Sequence, residues 1–433
     1  MRILERSPGP WALAVAVALA FPGGSRASLE KAIRVPADHP TIQKGMDAAA
    51  AGDTVLVAPG TYTENVAVRD GVVLMSEKGA SETTIAYDTS VKSENEAVIS
   101  LQQSTNSTEV IGFSIDGKGV AKRGILAIGD GEPVIAECRI VGAANGIGSH
   151  RNSAPYILDT KIEQAQVAGI FVQSGSADIR HCDLSGSANY GLVIEGTTRP
   201  ARVVDCRIHD NVQAGVRATD GDFTITGGSI SGNGNTGLIL EYVAPMIQGV
   251  RIEGNKNIGV ALQNSTGTLL ECTIRNNNFG VAISGTGDPK IFRCTFEDNT
   301  TYHIGVEGDV VPLIGGTLPN ANLFLGASGA VIQTACAMPV NMAYNYWGRP
   351  CSTKEQVKRL AGAKDVIRKP WVAADLKHFF YSCDEARKQS RTPVTGDEEA
   401  APTTPQTEAA GQPGAAPEST GKTPSKTSTP AAG

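Results

Sequence analysis

Eight segments of the chain align on one another at a single short spacing, and that periodicity excludes most folds. Cys138, Thr160, Cys182, Cys206, Gly228, Val250, Cys272 and Cys294 form one column, spaced by 22 residues except for one step of 24. Three residues earlier runs Ile135, Ile157, Ile179, Val203, Ile225, Ile247, Leu269 and Ile291. Two residues later runs Ile140, Ile162, Leu184, Ile208, Ile230, Ile252, Ile274 and Phe296. A fourth column follows glycine: Ile147, Ile170, Leu192, Val216, Leu238, Val260 and Val281. A unit this short cannot hold a βα pair or a helix pair, so the repeat specifies a solenoid. Runs such as "GLVIE" and "GVAIS" alternate with strand periodicity. Three strands and three turns fit one unit, which predicts an all-β chain: a single-stranded right-handed parallel β-helix. About ten coils at ~4.8 Å would make a rod roughly 50 Å long.

The conspicuous polar residues fall into the same phase. Asn211, Asn233, Asn255, Asn277 and Asn299 recur every 22 residues. Amides stacked at the coil spacing donate to and accept from one another, and asparagine tolerates the left-handed backbone of a sharp bend. The cysteines sit one per coil beside aliphatic columns and read as small core groups. Cys182 with Cys206, and Cys272 with Cys294, lie in adjacent coils at a distance a disulfide can span. No CxxC cluster or shared histidine column accompanies them, so no metal site is expected.

The ends differ from the middle. Arg2 and Arg6 precede "WALAVAVALA", and "SRAS" supplies Ser25 and Ala27 at the positions a signal peptidase reads. Residues 1–27 are therefore expected to be a signal peptide cleaved after Ala27, making the protein secreted or periplasmic. The run is short for a membrane span. Residues 387–433 are rich in Pro, Ala, Thr and Ser without an aliphatic larger than valine, the composition of a disordered tail. Between them we expect a cap helix and first coils over 28–88, repeats over 89–325 and a C-terminal cap over 326–386. Three cysteines, Cys336, Cys351 and Cys383, lie in that last segment. An exported protein pairs such residues, and Cys351 with Cys383 is one of three choices. Thr41 can N-cap a helix carrying Ile42, Met46 and Ala49 on one face, placed to cover the open first coil.

The motif "PTIQ…AGDTV…PGTYTEN" at residues 40–65 closely resembles the start of NosD-type and pectinesterase-like β-helix proteins. "NYWGRP" at 345–350 and "KPW" at 369–371 resemble the end of NosD-like repeats. The resemblance spans roughly residues 33 to 372 and implies the pectate-lyase-like β-helix fold. It implies no single activity, because that superfamily contains lyases, epimerases, esterases and non-catalytic proteins.

Two outward surfaces could carry chemistry. Beside the cysteine column stand Glu137, Asp159, His181, Asp205 and Glu271 on one side and Arg139, Lys161, Asp183, Arg207 and Arg251 on the other. Both are expected to face solvent on one sheet. Acids beside bases suit a polyuronate lyase or epimerase, with Ca²⁺ as its cofactor and Asp205, Arg207, His209 and Asp210 as catalytic candidates. The same pattern also describes a salt-bridged surface of little energetic weight. The "GHG", paired-aspartate and "DPHD" patterns of polygalacturonases and alginate epimerases are missing. The second surface is the glycine-led strand, exposing Phe171, Val193, Ile239, Ala261 and Ala282 beside Gln173, Glu195, Thr219, Glu241 and Gln263. Such a stripe needs a cover, from Trp347, Trp371 and Phe379, or a sugar that stacks on it. Phe171, Glu195, Arg217, Glu241 and Tyr242 are the binding candidates. The reading that follows is an exported monomer binding a polysaccharide or cell-envelope component, or serving as a structural module, without turnover and without a cofactor. A lyase or epimerase, and a NosD-like periplasmic accessory to metalloenzyme maturation, are the alternatives. The net charge of −6 gives no reason to expect nucleic acid as a partner.

Overall fold

The computed structural model describes residues 32–91, 95–326, 329–348, 356–359, 364–369, 371–372, 379–380 and 382. The expected signal peptide, the expected tail and the expected Cys351–Cys383 pairing lie outside these residues. Each coil makes three strands, stacked in parallel on the equivalent strands of the coils before and after. The first sheet has 15 strands, so the chain completes about fourteen turns rather than ten. The additional turns flank the in-phase repeat and are out of phase with it. Ile33 pairs with Val55, Val55 with Leu74, Leu74 with Val110 and Val110 with Ile135, at unequal sequence distances because the intervening turns differ in length.

A single coil shows the path. Ala201–Val204 lies in the first sheet, Arg207–His209 in the second and Ala214–Thr219 in the third. Register is one to one: Ile179, Val203 and Ile225 stack, as do Leu184, Ile208 and Ile230, and Leu192, Val216 and Leu238. These residues are 0–2% exposed and form one continuous core. Burying each such side chain contributes about 1.5–3 kcal/mol, so the aliphatic columns hold the coils together. The helix α1 (Ile42–Ala48) is capped by Thr41, whose hydroxyl accepts from the Lys44 amide, and buries Ile42 and Met46 in the first coil. It covers the open mouth as expected.

The corners explain the cysteine and asparagine columns. Each Cys Sγ donates to the carbonyl two residues earlier, as Cys272 does to Leu270 at 3.4 Å; Thr160 Oγ1 does the same to Leu158 at 2.8 Å. The same position accepts from the backbone one coil back, at Cys206 Sγ from the Cys182 amide and at Asn322 Oδ1 from the Cys294 amide. All six described cysteines are free and buried, and Cys336 is one of them. In the asparagine ladder, Asn233 Nδ2 donates to Asn255 Oδ1 at 2.8 Å and Asn255 Nδ2 to Asn277 Oδ1 at 3.0 Å. The ladder residues do not themselves take the left-handed conformation. The preceding residue does, with φ of 55° at Asp210, 53° at Asn276 and 51° at Asp298. The amide must point inward to reach its neighbour, so the reversal falls on the residue before it.

Candidate functional site

The acids before the cysteine column and the residues after it flank a corner instead of sharing a sheet. Glu137, Asp159, His181, Asp205 and Glu271 all have φ between 46° and 55°, and the strand of the second sheet starts beyond the cysteine. Asp205 is thereby separated from the other catalytic candidates. His209 Nδ1 lies 2.7 Å from Asp210 Oδ2 and its Nε2 3.1 Å from Asp183 Oδ1, while Arg207 Nη1 is 3.7 Å from Asp183. The same face carries Arg139–Glu163–Lys161 and Glu253–Arg275–Glu297. Acids and bases thus neutralise one another from coil to coil, each exposed pair contributing about 0–1 kcal/mol.

The outer face of the third sheet is built differently. Its central column runs Leu126, Gly148, Phe171, Val193, Arg217, Ile239, Ala261, Ala282 and Gly305. Arg217 interrupts the apolar stripe and spans Glu195 at 2.9 Å and Glu241 at 3.2 Å, so three binding candidates form one polar strap. Tyr242 is exposed in a left-handed corner just past that strand. Trp347 does not cover the stripe: it is buried within the coil interior against Phe324. Trp371 and Phe379 lie on two short antiparallel strands.

Beyond Phe171, on the N-terminal side, the column opens. Gly148 has no side chain to fill its place between Leu126 and Phe171. Beside it lies a cleft of about 310 Å³ lined by Arg123, Leu126, Ile128, His150, Arg151 and Gln173, among others. A β-carbon on Gly148 would stand 2.9 Å from His150 Nε2 and 3.4 Å from Arg123 Cδ, so both side chains overhang that backbone. The His150 ring leans on Phe171 at 5.7 Å between centroids. Arg123 Nε and His150 Nε2 are buried with no hydrogen-bond partner. Burial, with the charges of Arg123 and Arg151, pushes His150 down to about 4, so the ring is neutral at pH 7. The cleft therefore offers an apolar wall, a neutral imidazole and two guanidinium groups. It suits a ligand with one apolar face and oxygen acceptors at its edge.

Sequence reading named Phe171, Glu195, Arg217 and Glu241 as binding candidates, did not name Arg123, Gly148 or Arg151, and found no column that histidines share. The usable signal was Gly148 itself, a gap in the column between Leu126 and Phe171.

At the far end of this face, the Tyr302 ring stacks on Phe279 at 4.6 Å and lies over Gly305, beside the small residues Ala261 and Ala282. The described residues include no helix long and apolar enough to cross a membrane. The fold resembles that of the mannuronan C-5 epimerase AlgE4 A-module of Azotobacter vinelandii, with 16% identity, TM-score 0.50, and 75% of this chain and 94% of that one covered. It also resembles the Dettilon tailspike protein gp208, with 13% identity, TM-score 0.52 and coverage of 71% and 69%. At these identities the likeness is one of fold. No curated protein sequence matches the chain. The repeats match the family described as the right handed beta helix region over residues 64–201 and 168–311, which together span more than half of the chain, and the protein belongs to that family.

Proposed function

We propose that this is an exported β-helix protein that holds a glycan or cell-envelope component on the outer face of its third sheet and does not turn it over. The carrying observation is the cleft beside Gly148, lined by Arg123 and His150, each of which holds a buried side-chain nitrogen without a hydrogen-bond partner. An unpaired buried donor costs about 1–3 kcal/mol, which a ligand oxygen would recover. The apolar wall of Leu126 and Ile128, with Phe171 backing the His150 ring, suits the hydrophobic face of a pyranose ring. A glycan array followed by calorimetry on residues 28–433 tests the reading. We expect binding that weakens at least tenfold in both Gly148→Leu and Phe171→Ala. No glycan bound, or binding indifferent to both changes, would overturn it.

One observation favours a second reading, a polysaccharide lyase or epimerase: His209 is held between the carboxylates of Asp183 and Asp210. Incubation with polyuronates and calcium decides it. Unsaturated-product absorbance that Arg207→Ala abolishes would replace the non-catalytic reading.

A further inference from the structure

The cleft beside Gly148 carries positive charge that no carboxylate of the described residues neutralises. Gly148 pairs with Leu126, so Arg123, opposite Asn145, and His150 lie on either side of it along the strands. Both reach back over it: from one point, a β-carbon placed on Gly148, His150 Nε2 is 2.9 Å and Arg123 Cδ 3.4 Å away. Arg151 follows in an exposed corner, with φ of 51°, and lines the same cleft. Among the described residues neither arginine forms an ion pair, whereas Arg217, further along the same face, is held between Glu195 and Glu241. The one acid lining the cleft, Glu96, is paired with Lys122. Arg123 Nη1 donates to the Asn95 carbonyl at 3.4 Å, and its buried Nε has no partner.

We infer that the cleft takes a sugar carrying a sulfate or phosphate ester, whose three terminal oxygens accept from Arg123, Arg151 and His150. Two guanidinium charges beside an apolar wall repel each other, and an anion seated between them removes that cost. The donor set then separates one anion from another. A carboxylate brings one charge and two oxygens, which a single guanidinium can saturate in a bidentate pair. A sulfate or phosphate monoester brings three terminal oxygens, one for each of the three side chains, and the phosphate approaches two charges at pH 7. His150 is uncharged there, so it adds a donor without a third charge, through the tautomer that holds its proton on Nε2. Leu126 and Ile128 leave an apolar wall for the ring that bears the ester. This rests on the glycan reading for the ring and on the cleft's charge for the ester, so the two fail separately.

Calorimetry on the full chain at pH 7.5 tests it, with inorganic sulfate and phosphate first, then glucose 6-sulfate, glucose 6-phosphate, glucuronate and glucose. We expect both inorganic ions to bind, and at least one ester to bind about tenfold more tightly than glucuronate or glucose. The tighter ester identifies the group. Arg123→Gln and Arg151→Gln should each weaken ester binding about tenfold. Arg251→Gln, which removes the same charge from the exposed face of the second sheet, should leave it unchanged. Arg151 is exposed, so its replacement should leave the melting profile as it is and report on the cleft alone. Glucuronate bound as tightly as the esters, or ester binding indifferent to both arginine changes, would overturn the inference. Glucose bound as tightly as either ester would overturn it as well and leave the glycan reading standing. Inorganic ions held through both arginines, with no sugar bound, would support the oxyanion seat and overturn the glycan reading instead.

Discussion

Side chains that look reactive in the sequence carry the structural load at single positions. Asn255 accepts from both the backbone amide and the side-chain amide of Asn233, and donates to Asn277 and to the Ile230 carbonyl. Asn255→Leu would strand at least two buried donors, at about 1–3 kcal/mol each. Urea unfolding should show a loss of about 3 kcal/mol. Cys272→Thr should cost less than about 1 kcal/mol by the same measurement, because Thr160 already fills an equivalent position with the same hydrogen bond. The ladder ends at His303, whose Nδ1 meets Asn299 Nδ2 at 3.0 Å. Burial pushes this fully enclosed imidazole from 6.5 down to about 4. The unfolded chain takes up its proton first, so the contribution is complete above pH 6.5 and is lost as the pH falls toward 4. It amounts to about 3 kcal/mol. Unfolding free energies between pH 7 and pH 4 should fall accordingly, and His303→Gln should flatten that part of the slope. Glu109 acts with the opposite sign: raised to about 7, it favours folding below its unfolded value near 4.5 and loses that effect as the pH rises through 7.

At the level of the strand, one alternation serves two purposes. Inward positions are nearly uniform, and the outward ones record what each sheet faces. The second sheet presents self-neutralising charge, and the third presents a cleft, a polar strap and a stacked aromatic pair. Because Arg217 lies outside the core, Arg217→Ala should change stability by less than about 1 kcal/mol. Any larger consequence should appear in ligand affinity, measured by calorimetry beside the Gly148 variant. How much of this was legible varies from element to element. The columns, α1 and the ladder could be read directly, because a fixed repeat forces identical environments onto equivalent residues. The cleft could not, because it arises where one coil departs from the pattern, by an omission at Gly148 and by side chains converging from several strands.

For the whole molecule, a stack held by nearest-neighbour contacts tolerates loss of a complete unit. Deleting residues 233–254 joins Gly232 to Asn255, and because Gly232 and Gly254 both have φ of 64° the corner is preserved. That chain should keep its sheet signal in circular dichroism and a cooperative melt. Deleting residues 233–253 shifts every later strand by one position and turns its aliphatic column toward water; cooperative unfolding should disappear. The sequence by itself determined the solenoid, its inward columns and its corners, since each is local and repeated. Tertiary structure decided the number of turns, because irregular loops conceal strands that pair only in space. It also decided which outward residues share a surface, because neighbours there are a full coil apart along the chain and only stacking brings them together.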